Sequence, residues 1–181
     1  GPVAAGLRGE SLPPCYEELL DHGAWFMLSD RWVWQPRAAR ADPSWRPYFT
    51  GGCWRWENNT WFWTSDYLWG AIAFHHGRWF LSPVHGWLWV PGTEWSPAWV
   101  SWRIADDVCG WAPLPPDTAF LAAAGMPAYE LTWSHFVFVP AWRLQARDLT
   151  LHRLDGSLYA GRAQATALGP SPASASVATS F

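Results

Sequence analysis

Lysine is absent from this chain of 181 residues, and its twelve basic residues are all arginines. The formal net charge is −3, so the sequence offers no basic field for a phosphate backbone, which excludes nucleic-acid binding by charge. No apolar run approaches the length that crosses a bilayer, which predicts no transmembrane segment. A phosphate-cradling glycine loop is also missing. We therefore expect neither a nucleic-acid partner nor a built-in cofactor.

Cysteine is scarce. The three residues Cys15, Cys53 and Cys109 form no Cys-x-x-Cys motif and are too few and too scattered for a zinc site. Their odd number leaves two alternatives. One disulfide with a free thiol would suit an oxidising compartment, whereas three buried thiols would suit the cytoplasm. The disulfide that we consider joins Cys53 to Cys109.

The two ends of the chain differ from its middle in composition. Residues 1–15 are rich in Gly, Ala and Pro and begin with Gly1-Pro2, which resembles the remnant of a cleaved expression tag, so we expect a flexible N-terminus. Residues 161–181 are rich in Ala, Ser and Pro and are expected to form a disordered tail. Residues 16–160 are expected to form one domain, with a repeat core over 23–116 and a C-terminal extension over 117–160.

Tryptophan is present in large excess. All 18 tryptophans lie between Trp25 and Trp142. Each indole brings about 150–250 Å² of surface to bury, more than a domain of this size can hide completely. Some indoles must therefore be partly exposed or face a partner.

The tryptophans occur as doublets, such as Trp54/Trp56 and Trp61/Trp63, whose members share one face of a strand. Pairs of short aromatic runs flank four turn signals: Ser29-Asp30, Asn58-Asn59, the break over 82–86 and Asp106-Asp107. Hairpins built on these turns predict the cross-strand pairs Trp25–Trp34, Met27–Trp32, Trp54–Trp63, Trp56–Trp61, Trp79–Trp89, Leu81–Trp87 and Trp102–Trp111. The predicted fold is mostly β: repeated antiparallel Trp-rich hairpins, arranged as a small barrel or a meander, with one or two short helices.

Short helices are predicted over 16–22, with Gly23 as a stop, and near 117–124, where Asp117 can cap the first turn. Residues 135–139 are typical of a further strand. Residues 149–159 are ambiguous and are interpreted as a final strand or two, with Asp155-Gly156 as the turn.

An ordered series of motifs resembles a tryptophan-rich bacterial family catalogued as domain of unknown function 6600. The similarity extends over roughly residues 16–154, and the motifs that carry it include Gly23-Ala-Trp25, Trp32-Val-Trp-Gln-Pro36, Trp45-Arg-Pro-Tyr48, His76-Gly-Arg-Trp79, Gly86-Trp-Leu-Trp-Val-Pro-Gly92, Pro97-Ala-Trp-Val-Ser-Trp-Arg103 and Gly110-Trp-Ala-Pro-Leu-Pro-Pro116. The resemblance implies an envelope or secreted protein, periplasmic or at the cell surface, whose signal peptide has been removed. It implies no activity.

The polar residues give weak signals for catalysis or metal binding. His75-His76 and His85 could gather a metal, but adjacent residues of a strand point to opposite faces. Asp106-Asp107 with Glu94 could supply a carboxylate pair, yet an Asp-Asp at a hairpin tip is ordinarily turn chemistry. Cys109 could be a nucleophile, but no Cys/His signature surrounds it. We predict no enzyme, no catalytic residue and no metal.

Two functions remain open from the sequence. In the first, the protein is a binding module that recognises cell-wall or surface polysaccharide through aromatic residues in the connections between strands; the candidate ligand-binding residues are Tyr67, Trp69, His76, Arg78, Trp95 and Trp99. In the second, it is a structural or interaction protein. Its indoles would then form an interlocked core, and the surplus would contact an envelope protein or another copy of the chain.

Overall fold

A computed structural model describes residues 11–167, 169–172 and 175, so the flexible N-terminus expected over 1–15 and the disordered tail expected over 161–181 lie in part outside the described residues. In this part of the chain the order of elements is α1 (Tyr16–Leu20), β1 (Gly23–Leu28), β2 (Arg31–Pro36), α2 (Arg37–Ala41), β3 (Gly52–Glu57), β4 (Thr60–Ser65), α3 (Gly70–Ala73), β5 (Arg78–Ser82), β6 (Gly86–Val90), β7 (Val100–Ala105), β8 (Val108–Pro113), α4 (Thr118–Ala123), β9 (Val137–Pro140) and β10 (Gln164–Thr166). The fold is therefore mostly antiparallel β, as predicted.

The four predicted hairpins are confirmed residue by residue. Asn58 and Asn59 both have positive φ, 50° and 61°, and they form the two-residue turn between β3 and β4. This turn fixes the register of β3 and β4. Across the four hairpins all seven predicted cross-strand pairs form: Trp25–Trp34, Met27–Trp32, Trp54–Trp63, Trp56–Trp61, Trp79–Trp89, Leu81–Trp87 and Trp102–Trp111.

The hairpins do not follow one another across a single sheet. Strand β2 pairs with β6 at Trp34 and Trp89, which gives a four-stranded sheet of order β1-β2-β6-β5. A second sheet has the order β10-β7-β8-β9, and β3 and β4 form a sheet of two strands. The described strands thus form neither a closed barrel nor a simple meander, because the β3–β4 hairpin is passed over in the pairing.

One aromatic core joins the three sheets. Its largest fully buried side chains include Trp34, Trp54, Trp63, Trp79, Trp89 and Trp111. Tyr48 lies among them in the connection before β3, and its hydroxyl donates to the Phe74 carbonyl oxygen at 2.8 Å. The Trp111 indole donates to the carbonyl oxygen of Tyr48 itself at 2.7 Å. The core therefore fixes connections as well as strands.

Helix α1 ends at Leu20, two residues earlier than predicted. Helix α4 is confirmed, since the Asp117 carboxylate accepts from the Phe120 N–H at 2.8 Å and caps it. The interpretation of residues 149–159 as strands is wrong. The Asp148 and Asp155 carboxylates each accept from the backbone N–H two residues later, and they start the short 3₁₀ helices Leu149–Leu151 and Gly156–Leu158.

The tail expected to be disordered contains β10, which pairs with β7 at the edge of the second sheet. Farther along, the Pro170 carbonyl oxygen accepts from the Trp61 indole at 3.0 Å. Sequence composition missed this contact because the acceptor is a backbone carbonyl oxygen, which no side-chain pattern marks.

The disulfide considered between Cys53 and Cys109 is not formed. Cys15, Cys53 and Cys109 are free thiols. Cys53 lies in β3 of the two-stranded sheet, whereas Cys109 is buried in β8 of another sheet. In the described residues no helix is long and apolar enough to span a membrane.

The thiols can be counted chemically. Burial raises the pKa of the Cys109 thiol to about 12 and blocks access to it, whereas Cys15 and Cys53 are half-buried. We expect Ellman's reagent at pH 8 to modify two thiols in the native protein and three in guanidinium chloride. Three reactive thiols in the native protein would contradict the burial of Cys109. A single reactive thiol in protein denatured without a reductant would show that two of the three cysteines form a disulfide.

The contribution of the Trp111 hydrogen bond to stability can be separated from that of its packing by a comparison with Trp63. Both indoles are fully buried, but the indole N–H of Trp63 has no acceptor among the described residues. Trp111→Phe removes a donor and leaves the Tyr48 carbonyl oxygen unsatisfied, whereas Trp63→Phe removes an unpaired N–H. We expect Trp111→Phe to lower the free energy of unfolding by roughly 1–3 kcal/mol more than Trp63→Phe in urea denaturation. Equal losses would show that the bond contributes nothing.

Candidate binding site

The connection between β6 and β7, residues 91–99, has no helix or strand of its own, yet it is held at several points. The Ser96 N–H donates to the His75 carbonyl oxygen at 2.9 Å, and the His75 Nδ1 lies 2.9 Å from the Ser96 carbonyl oxygen. The Trp99 indole donates to the same His75 carbonyl oxygen at 3.0 Å. Next to Ser96, the Pro97 carbonyl oxygen accepts from the backbone N–H of Trp63 in β4 at 3.2 Å. The connection is therefore anchored to two neighbouring elements.

This anchored connection presents the side chain of Trp95, which is 55% exposed. The indole stacks on the imidazole of His75, with ring centroids 5.6 Å apart and planes 24° apart, and its centroid lies 6.2 Å from that of Phe62. Phe62 and His75 are themselves in contact at 4.6 Å. We call these three side chains the Trp95 platform. Burial lowers the pKa of His75, so this ring is neutral at pH 7 and packs as an aromatic group.

A second aromatic contact lies a few residues farther along the connection. The guanidinium carbon of Arg78 lies 3.6 Å from the centroid of the half-buried Trp99 ring. This separation is well within the range of a cation–π contact. The Arg78 Nη1 donates to the Gly77 carbonyl oxygen at 3.0 Å, which further fixes the position of the charge.

Two grooves adjoin the connection and share residues 90–93 as a common wall. The first, of about 470 Å³, is lined by Arg78 and Glu94 together with the ion pair Arg31–Asp117 at 2.7 Å; we call it the Arg78 groove. The second, of about 750 Å³, is lined by His76 with apolar residues such as Trp32, Ile72 and Trp89, and by residues 11–15. Both volumes lie in the range of small-molecule sites.

The structure places four of the six predicted site residues around one connection. Trp95 and Trp99 lie in it, and Arg78 and His76 line the two grooves beside it. Tyr67 and Trp69 lie elsewhere: their rings stack at 4.6 Å, and the Tyr67 hydroxyl accepts from the Trp45 indole at 3.1 Å. Trp69 is predicted to bind a ligand, but its side chain is 5% exposed and packs in the core, so its indole has no free face to offer.

The polar residues considered for catalysis or metal binding are separated. His75 is buried under Trp95, His76 lines a groove, and the exposed His85 packs against Phe26 at 4.9 Å. Within the described ranges, no group of three His, Cys, Asp or Glu side chains could hold a metal ion. The carboxylates considered for catalysis, Glu94 and the pair Asp106-Asp107, also lie at different places.

Glu94 lines the Arg78 groove, whereas Asp106 and Asp107 line a small cavity of about 260 Å³ near Trp142. A positive φ of 51° at Asp106 confirms the turn interpretation of this pair.

Phe62 is the platform residue that the sequence interpretation missed. In β4 it alternates with Trp61 and Trp63, which point into the core, so the two-residue periodicity places it on the opposite face. That signal was in the sequence. What the sequence could not show is that residues 91–99 cross this face.

Comparison with known proteins gives a family and no function. A family model described as "Family of unknown function (DUF6600)" matches residues 16–118, which include the Trp95 platform and the side chains of the Arg78 groove. Neither the curated proteins nor the solved structures contained a match. The resemblance predicted from the motifs is thus confirmed over more than half of the chain. This chain belongs to the family of unknown function DUF6600.

Proposed function

We propose that this protein is a non-enzymatic, extracytoplasmic module that binds cell-wall or surface polysaccharide through exposed aromatic side chains. The observation that carries the proposal is the Trp95 platform. Its indole is more than half exposed, although it is held on one side by His75 and Phe62. The outer face of this indole packs against no core residue in the described part of the chain, so a ligand can stack on it.

A sugar ring suits this surface for two reasons. The C–H groups on one face of a pyranose form an apolar patch that can lie flat on an indole, while its hydroxyl groups point sideways and need polar partners. Arg78 and Glu94 provide donors and acceptors in the adjoining groove. Trp95 has only two side-chain torsions and is already packed on His75, so little conformational entropy is lost on binding.

The placement of the acidic groups supports a binding role without catalysis. Glycoside hydrolysis needs two carboxyl groups that face each other at about 5–9.5 Å across the scissile bond. Glu94 and Asp117 both line the Arg78 groove, but Asp117 is paired with Arg31, whereas Asp106 and Asp107 line another cavity. Asp117 also caps α4, so its carboxylate already has two partners.

A second candidate function is protein interaction, and a separate observation favours it. Two indoles far along the chain from the platform are exposed, Trp133 at 49% and Trp142 at 40%, and the Arg143 guanidinium lies 4.0 Å from the Trp142 ring. Exposed Trp beside Arg is typical of residues that anchor protein interfaces. The partner would be an envelope protein or another copy of this chain.

The platform can be tested with Trp95→Ala and the matched variant Trp142→Ala, which also removes an exposed indole. Isothermal titration with soluble fragments of bacterial cell-wall polysaccharide should show saturable binding to the native protein. We expect Trp95→Ala to weaken it tenfold or more, about 1.4 kcal/mol, since the stacking surface is lost. Trp142→Ala should bind as the native protein does.

Equal affinity of the native protein and Trp95→Ala would contradict the platform. If no polysaccharide fragment binds, and sedimentation shows a concentration-dependent oligomer that Trp142→Ala or Trp133→Ala disrupts, the interaction function is supported instead.

A further inference from the structure

A third groove, of about 540 Å³, lies beside the hairpin β5–β6 and is distinct from the Trp95 platform. Its wall includes Trp45 and Trp87, and its charged residues are Arg40, Asp42 and Arg46. We call it the Arg46 groove. The motif Trp45-Arg-Pro-Tyr48 contributes to it, and the proposed polysaccharide site makes no use of this motif.

Arg46 is the unusual residue in this groove, because it is largely buried and pairs with no acidic side chain in the described part of the chain. Its Nη2 donates to the Ser134 carbonyl oxygen at 2.7 Å, and its guanidinium carbon lies 5.9 Å from the centroid of the Trp87 ring. Its Nη1 is enclosed and meets no hydrogen-bond acceptor among the residues that the structure describes. The ion pair seen in the described part of the chain is Arg31–Asp117, so no carboxylate there neutralises Arg46.

The surroundings of Arg46 add positive charge rather than compensate it. Burial, and then the nearby charge of Arg153, lower the pKa of Arg46 to about 10, so the guanidinium is still protonated at pH 7. The one acid in the groove, Asp42, is exposed, and its carboxylate accepts from the Ser44 N–H and hydroxyl at 2.9 and 2.7 Å. A largely buried cation with an unbonded donor is normally paired in proteins, and within the described residues no carboxylate pairs with this one.

We propose that the Arg46 groove binds a carboxylate, of the kind carried by an acidic sugar such as a uronic acid. A planar guanidinium matches a carboxylate through two parallel N–H···O bonds, and an uncompensated charge at a groove attracts an anion. Because Nη1 is enclosed, binding requires the guanidinium to turn toward the groove. Arg40, which is exposed on the rim, supplies a second positive charge. The choice of a sugar as the molecule that carries the carboxylate rests on the proposed function. The inference of a carboxylate site does not, because it is argued from Arg46.

The test uses ¹⁵N-labelled whole protein and four probes: glucuronate, glucose, acetate and inorganic phosphate. We expect glucuronate to shift the indole N–H signals of Trp45 and Trp87 and the Arg46 Nε–H signal in a saturable way. Glucose should leave these three signals in place, and acetate and phosphate should bind at least fivefold more weakly. Sodium chloride at 0.5 M should weaken glucuronate binding, since the attraction is largely electrostatic.

Arg46→Gln keeps an amide donor for the Ser134 carbonyl oxygen but removes the charge, and we expect it to weaken glucuronate binding tenfold or more. Arg55→Gln is the control, because Arg55 is an exposed arginine on β3 that does not line the groove. If Arg46→Gln does not fold, as judged by thermal unfolding, the rim variant Arg40→Gln is measured in its place. It should weaken binding at least twofold.

Several outcomes would overturn the proposal. They are the absence of any glucuronate shift, equal shifts with glucose, and unchanged affinity in Arg46→Gln, or in Arg40→Gln where that replaces it. Equal affinity for phosphate would show a general anion site and overturn the assignment to an acidic sugar. The Trp95 indole signal keeps this test separate from the previous one. A shift of Trp95 with polysaccharide, while Trp87 stays silent with glucuronate, would reject the Arg46 site alone, and the reverse result would reject the platform alone.

Discussion

The structure depends on the acceptors that most of its enclosed indole N–H groups find in the connections between strands. An indole is large and apolar, but its one donor needs an acceptor when it leaves water. In the described part of the chain, seven indoles donate to backbone carbonyl oxygens that belong to helices or connections rather than to strands. The pairs are Trp25 with Tyr16, Trp34 with Leu19, Trp61 with Pro170, Trp79 with Ala73, Trp89 with His76, Trp99 with His75 and Trp111 with Tyr48. The same side chains that fill the core therefore fix the connections around it.

The candidate site is a consequence of this arrangement. The carbonyl oxygen of His76 is held by Trp89 at 2.9 Å, and that of His75 is held by Trp99 at 3.0 Å, so the short segment between α3 and β5 is fixed from two directions. His75 in turn supports the ring of Trp95. An exposed platform on a connection of nine residues would otherwise be mobile. Here the indoles of Trp89 and Trp99 hold the segment that carries His75, and His75 in turn fixes the position of Trp95.

The local fold could be predicted from the sequence, whereas its assembly could not. Two-residue turns such as Asn58-Asn59 fix a register, and the alternation of side chains then fixes every pair in that hairpin. The pairing of β2 with β6 through Trp34 and Trp89 joins residues far apart in the chain, and no local pattern encodes it. The same limit applies to the site. Trp95 was predicted as a site residue because it lies outside the strands, but the same criterion selects Trp69, which is buried. The role of Arg46 depends on a groove formed by distant segments.

The hairpin β3–β4 shows how an indole core can tolerate unsatisfied donors. The indole N–H groups of Trp54 and Trp63 are buried with no acceptor among the described residues, which costs about 1–3 kcal/mol each. Trp54, however, meets Trp63 at 5.2 Å and Trp111 at 5.7 Å, both edge to face, and Trp102 at 4.8 Å. Such ring pairs contribute about 0.5–1.5 kcal/mol each beyond burial, so three of them offset one unpaired donor. Ring contacts can therefore hold this hairpin in the core although, among the described strands, it pairs with no other sheet.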